Sequence, residues 1–350
     1  MILAGDIGGT TTRLGLFEIQ NESLKQVNAQ SFPSHNYQSL FEIASSFLTN
    51  NGKPEIRTAC FGVAGPVKHG RVVSPNLAWD THDLTLAQGL GIQRVRLIND
   101  LEANAYGIAA LTATEMVTIQ AGNASVNGNA AVISAGTGLG EAGLFWDGNT
   151  HYPFACEGGH ADFAPRDELE SELLLYLRAR FGRVSYERVL SGSGQRLLYE
   201  FLRDVKGYAE TPALVAEMRS GNPSGVITRA GLSQTCELCV MALDWYVSLY
   251  GAEAGNLALK MMATGGIYIG GGIAPKIAQK LKEPTFIDSF VSKGRMKGLL
   301  SSIPVRIIMN NQTALLGAAR VARMELGLLS TRSTCAGTSP SATIRCPPSR

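Results

Sequence analysis

The sequence predicts an α/β fold in two domains, and three observations predict it. Predicted strands alternate with helical stretches along most of the chain. A hairpin-like unit with a glycine turn opens the chain and recurs 128 positions later, where Gly136 corresponds to Gly8. The 350 residues exceed one ordinary hydrophobic core and suit two.

The first hairpin reads Ile2-Leu3-Ala4, then Asp6-Ile7-Gly8-Gly9-Thr10-Thr11-Thr12, then Leu14-Gly15-Leu16-Phe17. The second reads Ala130-Ala131-Val132-Ile133, then Ser134-Ala135-Gly136-Thr137-Gly138-Leu139-Gly140, then Ala142-Gly143-Leu144-Phe145. Between them, 57–67 reads as a strand ending in a Gly65-Pro66 turn, and 95–100 as another strand. Helical spacing follows from Leu101 to Leu111, with Asn99 or Asp100 as the natural N-cap. Residues 166–181 form an amphipathic helix, acidic at its start and basic at its end, aligned with its own dipole. Helices are predicted over 184–203, 209–219 and 225–263. A strand at 266–269 runs into the break Gly270-Gly271-Gly272-Ile273-Ala274-Pro275, and a strand at 305–308 leads into a closing helix at 312–327. From Ser330 on, a Ser/Thr/Pro-rich stretch with no aromatic residue predicts a disordered tail.

Composition narrows the function. A formal charge of +2 is near balance, and the tail contributes arginines without acids, so no basic face is offered to nucleic acid. No apolar run is long enough to span a membrane, and the start has no basic-then-apolar leader, which predicts a cytoplasmic protein. Six cysteines scattered over the chain do not make a disulfide framework. Cys236 and Cys239 lie in an apolar-periodic helix and are read as core thiols, not as a redox or zinc pair.

The glycine turns carry the first functional signal. At Gly8, Gly9 and Thr10-Thr11, and again at Gly136-Thr137-Gly138, backbone N–H groups are able to approach an anion closely, since no Cβ intervenes. The plain alternative is two ordinary hairpin turns; the third break at Gly271-Gly272 favours anion binding. Asp6 suits a phosphate cradle when Mg²⁺ lies between. No Gly-x-x-x-x-Gly-Lys-Ser/Thr run exists, which excludes a Walker A loop. The 135–140 stretch lacks the third dinucleotide glycine and leads into a strand, against a Rossmann dehydrogenase.

Asp100 ends a strand and starts a helix beside Asn99, which suits either a plain helix cap or a general base for phosphoryl transfer. In Cys156-Glu157-Gly158-Gly159-His160, two glycines expose an acceptor and an adaptable donor from one turn, the pair a vicinal diol asks for. Glu187, inside an amphipathic stretch, reads by itself as a surface carboxylate.

These segments in this order resemble the bacterial glucokinase family, of the hexokinase–actin–heat-shock-protein superfamily, over roughly residues 1–328. Asp6–Thr10 resembles its first phosphate motif, 134–140 the second, and 265–276 its adenosine motif. Leu97-Ile98-Asn99-Asp100 resembles the segment with the catalytic Asp. Tyr152–Phe163 and Tyr186–Gly192 resemble the sugar-binding run. The resemblance implies the two-domain actin-like fold: a small domain of 1–108 completed by 312–328, a large one of 109–311, and an active-site cleft that closes on sugar and excludes water. It implies ATP-dependent phosphorylation of glucose with Asp100 as base. Asn99, Asp100, Glu157, His160 and Glu187 would hold the sugar. Gly8, Gly9, Thr10, Thr11, Gly136, Thr137, Gly138, Gly271 and Gly272 would hold ATP, and Asp6 the Mg²⁺. A homodimer is expected. Residues 162–185 lack the cysteine cluster that the related repressor/open-reading-frame/kinase (ROK) group uses for zinc, so no zinc is expected, and no helix-turn-helix precedes the first strand. A kinase for another hexose or amino sugar, a sugar sensor that kept the fold, and a polyphosphate-using enzyme are the alternatives.

Overall fold

The computed structural model describes residues 1–335 apart from 22, 74–76, 78 and 124–126, with side chains to Gly327. The described residues divide into two compact units: Met1–Ile98 with the chain from Ala318 on, and Asn99–Gly317. Residues 99–108, which the sequence reading gave to the first domain, cluster here with the second.

The first unit is built on strands β1 (Ile2–Ile7), β2 (Thr11–Gln20), β3 (Ser23–Pro33), β4 (Thr58–Val63) and β7 (Arg94–Asn99), in the order β3-β2-β1-β4-β7. A small ribbon pairs β5 (Arg71–Val73) with β6 (Asp80–His82). β1 pairs antiparallel with β2 and parallel with β4. β4 is buried along its whole length and β1 nearly so, as expected of central strands covered on both faces. β3 is mostly exposed and closes the sheet edge.

The second unit contains β8 (Met116–Gln120), β9 (Ala130–Ala135), β10 (Leu139–Trp146), β11 (His151–Cys156), β12 (Gly266–Gly270) and β13 (Val305–Ile308), ordered β11-β10-β9-β12-β13-β8. Leaving out the edge strand β8, the two sheets share one order: a hairpin, its third strand, then two strands beyond the first. The hairpins differ at the turn. Ile7 pairs with Thr12 but Ala135 with Leu139, so the second turn is one residue shorter.

The period-two alternation of β9 places two layers on this sheet. Ala131, Ile133 and Ala135 join the large core with Tyr246, Tyr250 and Leu257 of the helix Glu237–Met261. Ala130 and Val132 face the other way and cluster with Ala105 and Ile108 of the helix Asp100–Ile108.

Most predicted elements are present, with two differences of continuity. The stretch 184–203 is a 3₁₀ turn (Tyr186–Arg188) followed by a helix from Gly192, because Ser191 caps the helix by accepting from Gly194 N at 3.1 Å. The stretch 225–263 is two helices, Pro223–Leu232 and Glu237–Met261, separated where Gln234 takes a positive φ of 55°. Apolar periodicity continues across that break, so it was invisible to pattern reading. Cys236 flanks the second helix, and Cys239 is buried in the core. Burial, with the Cys236 hydrogen bond, pushes the Cys239 thiol up to about 12, which suits packing and not redox chemistry. The closing helix runs Thr313–Cys335, past the expected tail start at Ser330; residues 336–350 lie outside the described residues. No described helix is long and apolar enough to cross a membrane.

Candidate active site

β7 ends at Asn99, and the next residue is the first of the helix Asp100–Ile108. Asn99 takes the capping role: its Oδ1 accepts from Leu101 N at 2.8 Å and from Glu102 N at 3.3 Å. Asp100 therefore stands at the first helical position, half-buried, with Oδ1 accepting from Leu101 N at 3.0 Å. That end of a helix favours a negative side chain. Leu101, in the first turn of this helix, packs directly over Gly140 of β10.

β10 carries the second glycine turn at its beginning. Gly136 N donates to Gly138 O at 2.8 Å and closes the turn. Two further turns meet it: Gly192 N, at the start of the helix Gly192–Asp204, donates to Gly136 O at 2.9 Å, and Ile273 N donates to Ala135 O at 3.2 Å. Gly271, φ +83°, has its Cα against the Ala135 backbone, a place no side chain fits.

β11 leads into the Glu157–His160 turn. His160 N donates to Glu157 O at 3.0 Å and Ala161 N to Gly158 O at 2.9 Å, so the 3₁₀ turn turns both polar side chains outward. Glu157 and His160 are exposed, with Oε2 and Nε2 3.9 Å apart. The two glycines are required by close packing. A Cβ on Gly159 would strike the Leu139 carbonyl, and one on Gly158 the Glu141 carboxyl.

Glu187 enters this cluster through the backbone. Phe163 N donates to Val184 O and Tyr186 N to Ala161 O, both at 3.0 Å, which lays 184–186 beside the end of the Glu157–His160 turn. Glu187 Oε2 then accepts from Leu139 N at 3.0 Å and lies against Gly138. One carboxylate thus touches the glycine turn at 136–138 and neighbours the Glu157–His160 segment. Asn99, Asp100, Glu157, His160, Glu187, Gly136, Thr137, Gly138, Gly271 and Gly272 all belong to the second unit.

Asp6, Gly8, Gly9, Thr10 and Thr11 belong to the first unit. Their turn is held by a residue that sequence reasoning missed. Ser34, fully buried, donates from Oγ to Gly8 O at 2.8 Å, lies 3.0 Å from Thr12 Oγ1, and donates from its backbone N to Thr10 O at 2.9 Å. Nothing local to Ser34 signals this; only the β2–β3 pairing brings it there. Burial pushes Asp6 up to about 6, against the pull of Arg13, whose Nη1 is 3.7 Å away.

The family model described as Glucokinase matches residues 3–325. The chain belongs to the glucokinase family. A glucokinase of Nostoc sp. is 43% identical over 334 residues, covering 91% of this chain and 98% of the relative. The crystal structure of a glucokinase from an Antarctic psychrotroph superposes with a TM-score of 0.80 at 32% identity, covering 92% and 98% of the two chains. A ROK-family glucokinase from Streptomyces griseus, solved with glucose and AMPPNP, shares the fold at a TM-score of 0.63 and 19% identity, covering 92% and 99%. The fold is the actin-like two-domain one. Membership carries ATP-dependent phosphorylation of glucose.

Proposed function

We propose that Asp100 is the general base that takes the proton from the 6-hydroxyl of glucose, and that Asn99, Glu157, His160 and Glu187 fix the sugar. The observation that supports this best is the division of labour at 99–100. Asn99 caps the helix, so the carboxylate beside it is not the N-cap. Phosphoryl transfer demands little covalent chemistry from a protein and much positioning, and a first-turn carboxylate is rigidly aimed.

The residues present fit the nucleotide and the metal. A Cβ at Gly136 or Gly272 would meet nothing within 4 Å, so the backbone there is open to a ligand. A helix N-terminus, at Gly192, abuts the same turn and favours an anion. We assign Gly136–Gly138 and Gly271–Gly272 to the phosphates and adenosine of ATP, and Gly8–Thr11 to the phosphates. Asp6 supplies a hard oxygen for Mg²⁺, directly or through water. When bound, Mg²⁺ neutralises charge on the transferring phosphoryl group. The enzyme is read as a cytoplasmic homodimer that needs neither nucleic acid nor membrane.

Glu157→Gln removes a charged acceptor from the sugar hydroxyls. A hydrogen bond to a charged group contributes about 1.5–3 kcal/mol, so glucose affinity falls roughly 10- to 100-fold. Calorimetric titration of glucose into the variant measures it; an unchanged Kd removes Glu157 from the site.

A further inference from the structure

Two buried carboxyl groups are not used by the proton transfer, and one of them packs against the Glu157–His160 turn. Glu141 on β10 and Glu253 on the helix Glu237–Met261 are 1% and 0% exposed. The Glu253 charge acts on the Glu141 carboxyl. Burial and a neighbouring like charge both favour the protonated form of a carboxyl. Glu253 has the partners of a carboxylate: Oε2 accepts from Asn256 Nδ2 at 2.7 Å, and Oε1 from Lys260 Nζ at 3.3 Å. Glu141 makes no ion pair among the described residues, and its Oε1 meets no hydrogen-bond partner there.

The position of Glu141 gives this pair a consequence. A Cβ on Gly158 would collide with Glu141 Oε2 and come within 2.7 Å of Cδ, so the carboxyl is packed against the turn. Cys156 Sγ donates to Glu141 O at 3.4 Å on the same side. From Glu253 the network continues through Asn256 Nδ2, which also donates to the Tyr186 hydroxyl at 3.0 Å, one residue before Glu187. Glu141 thus touches the Glu157–His160 segment, and Glu253 reaches the segment before Glu187 through Asn256.

We propose that Glu141 is a positioning residue for the sugar-binding turn: its buried carboxyl, packed against Gly158, holds Glu157 and His160 where the hexose meets them. This rests on the reading of Glu157 and His160 as sugar ligands.

Burial, reinforced by the Glu253 charge and opposed by Lys260, pushes Glu141 up to about 8. The titratable groups that interact with it are Glu253, Lys260 and Tyr250 from the long helix, and Cys156 from β11. Burial pushes Cys156 and Tyr250 upward as well, away from neutrality. Ionising Glu141 places a second buried negative charge beside Glu253 and under Gly158, which loosens the turn.

Two readouts follow. The neutral acid is held in the folded state, whereas the unfolded chain ionises it from about 4.5 upward. Its contribution to stability therefore falls between pH 4.5 and 8 and levels off above. Glu141→Gln mimics the neutral acid, so its Tm lies above that of the parent at pH 8 and the gap shrinks towards pH 4.5. In kinetics, the parent's KM for glucose rises roughly 3- to 10-fold from pH 7 to 9 while kcat changes less, as for the loss of about one positioned hydrogen bond. Glu141→Gln keeps KM level over that range, and Glu141→Ala has a raised KM throughout. An equal KM rise in Glu141→Gln, or a Tm gap that ignores pH, overturns the proposal. If Glu141→Ala does not fold, the Gln variant decides alone. Glu157→Gln separates the two failures: an unaltered glucose KM there sinks the sugar-turn reading, while a raised one with parent-like Glu141 variants sinks only this inference.

Discussion

Asp100→Ala lowers kcat by about 10²- to 10⁴-fold, the amount a positioned base typically contributes, while glucose binds within a few-fold of the parent. The variant keeps the Asn99 cap, which holds the helix start, so its Tm stays close to that of the parent. Phosphorylation followed in a coupled assay with ATP and Mg²⁺, beside calorimetric glucose binding, separates the two effects. Parent-like turnover would falsify the assignment of Asp100. A fall in both binding and Tm would instead point to a structural role at the helix start. Asp100→Asn sharpens the test: it keeps the size and the acceptor for Leu101 N but cannot take a proton, and it should be as inactive as the alanine variant.

Gly317→Ala has the largest expected effect on stability. In an open helix, this change stabilises by about 0.5–1 kcal/mol. Here the new Cβ would overlap the Ala103 carbonyl oxygen and lie 2.7 Å from Gly107 N. Gly107, on the facing helix, meets Thr313 in the same way, with its own Cβ 2.8 Å from the Thr313 carbonyl carbon. The obstacle on both sides is main chain, which cannot rotate away, so the helices must separate. Overpacking of this kind costs about 1–3 kcal/mol. For a unit of this size, that lowers Tm by roughly 2–4 °C per kcal/mol. The sign decides the matter: a raised Tm means the helices are not in contact as described. The same separation shifts the helix that begins at Asp100, and a misplacement of about 1 Å is enough to cost 10²-fold in rate. Gly317→Ala should therefore lose kcat as well, although it touches no substrate.

The legible parts of this protein were those written in local chemistry. The glycine turns at 8–9, 136–138 and 270–272 stood out because glycine is the residue that lets backbone approach an anion or adopt a positive φ. The strands at 2–4, 58–63 and 130–133 were visible as short apolar runs, and the hairpin repeat as a repeated order of residues. The helix at 168–181 announced itself by acids in its first turn and arginines in its last. Glu187 was different. As one carboxylate in an amphipathic stretch it looked like surface, and only the resemblance to the family assigned it a role. Its contact with Leu139 N is made by pairing between 161–163 and 184–186, which no spacing reveals. The break between Leu232 and Glu237 was likewise hidden, because apolar residues continue on both sides of it.

By itself, the sequence determined the α/β class, the position of each glycine turn and the family, since these depend on residue type and order along the chain. It left the cap at Asn99 or Asp100 undecided, because both side chains can accept the same N–H groups. Only the tertiary structure decided that Asn99 caps, that Ser34 staples the first turn, and that the Glu141 carboxyl is buried against Gly158. Each of these is a contact between segments that sheet order and helix packing bring together. Burial there creates the chemistry, by removing water from groups that would otherwise be ordinary surface polar residues.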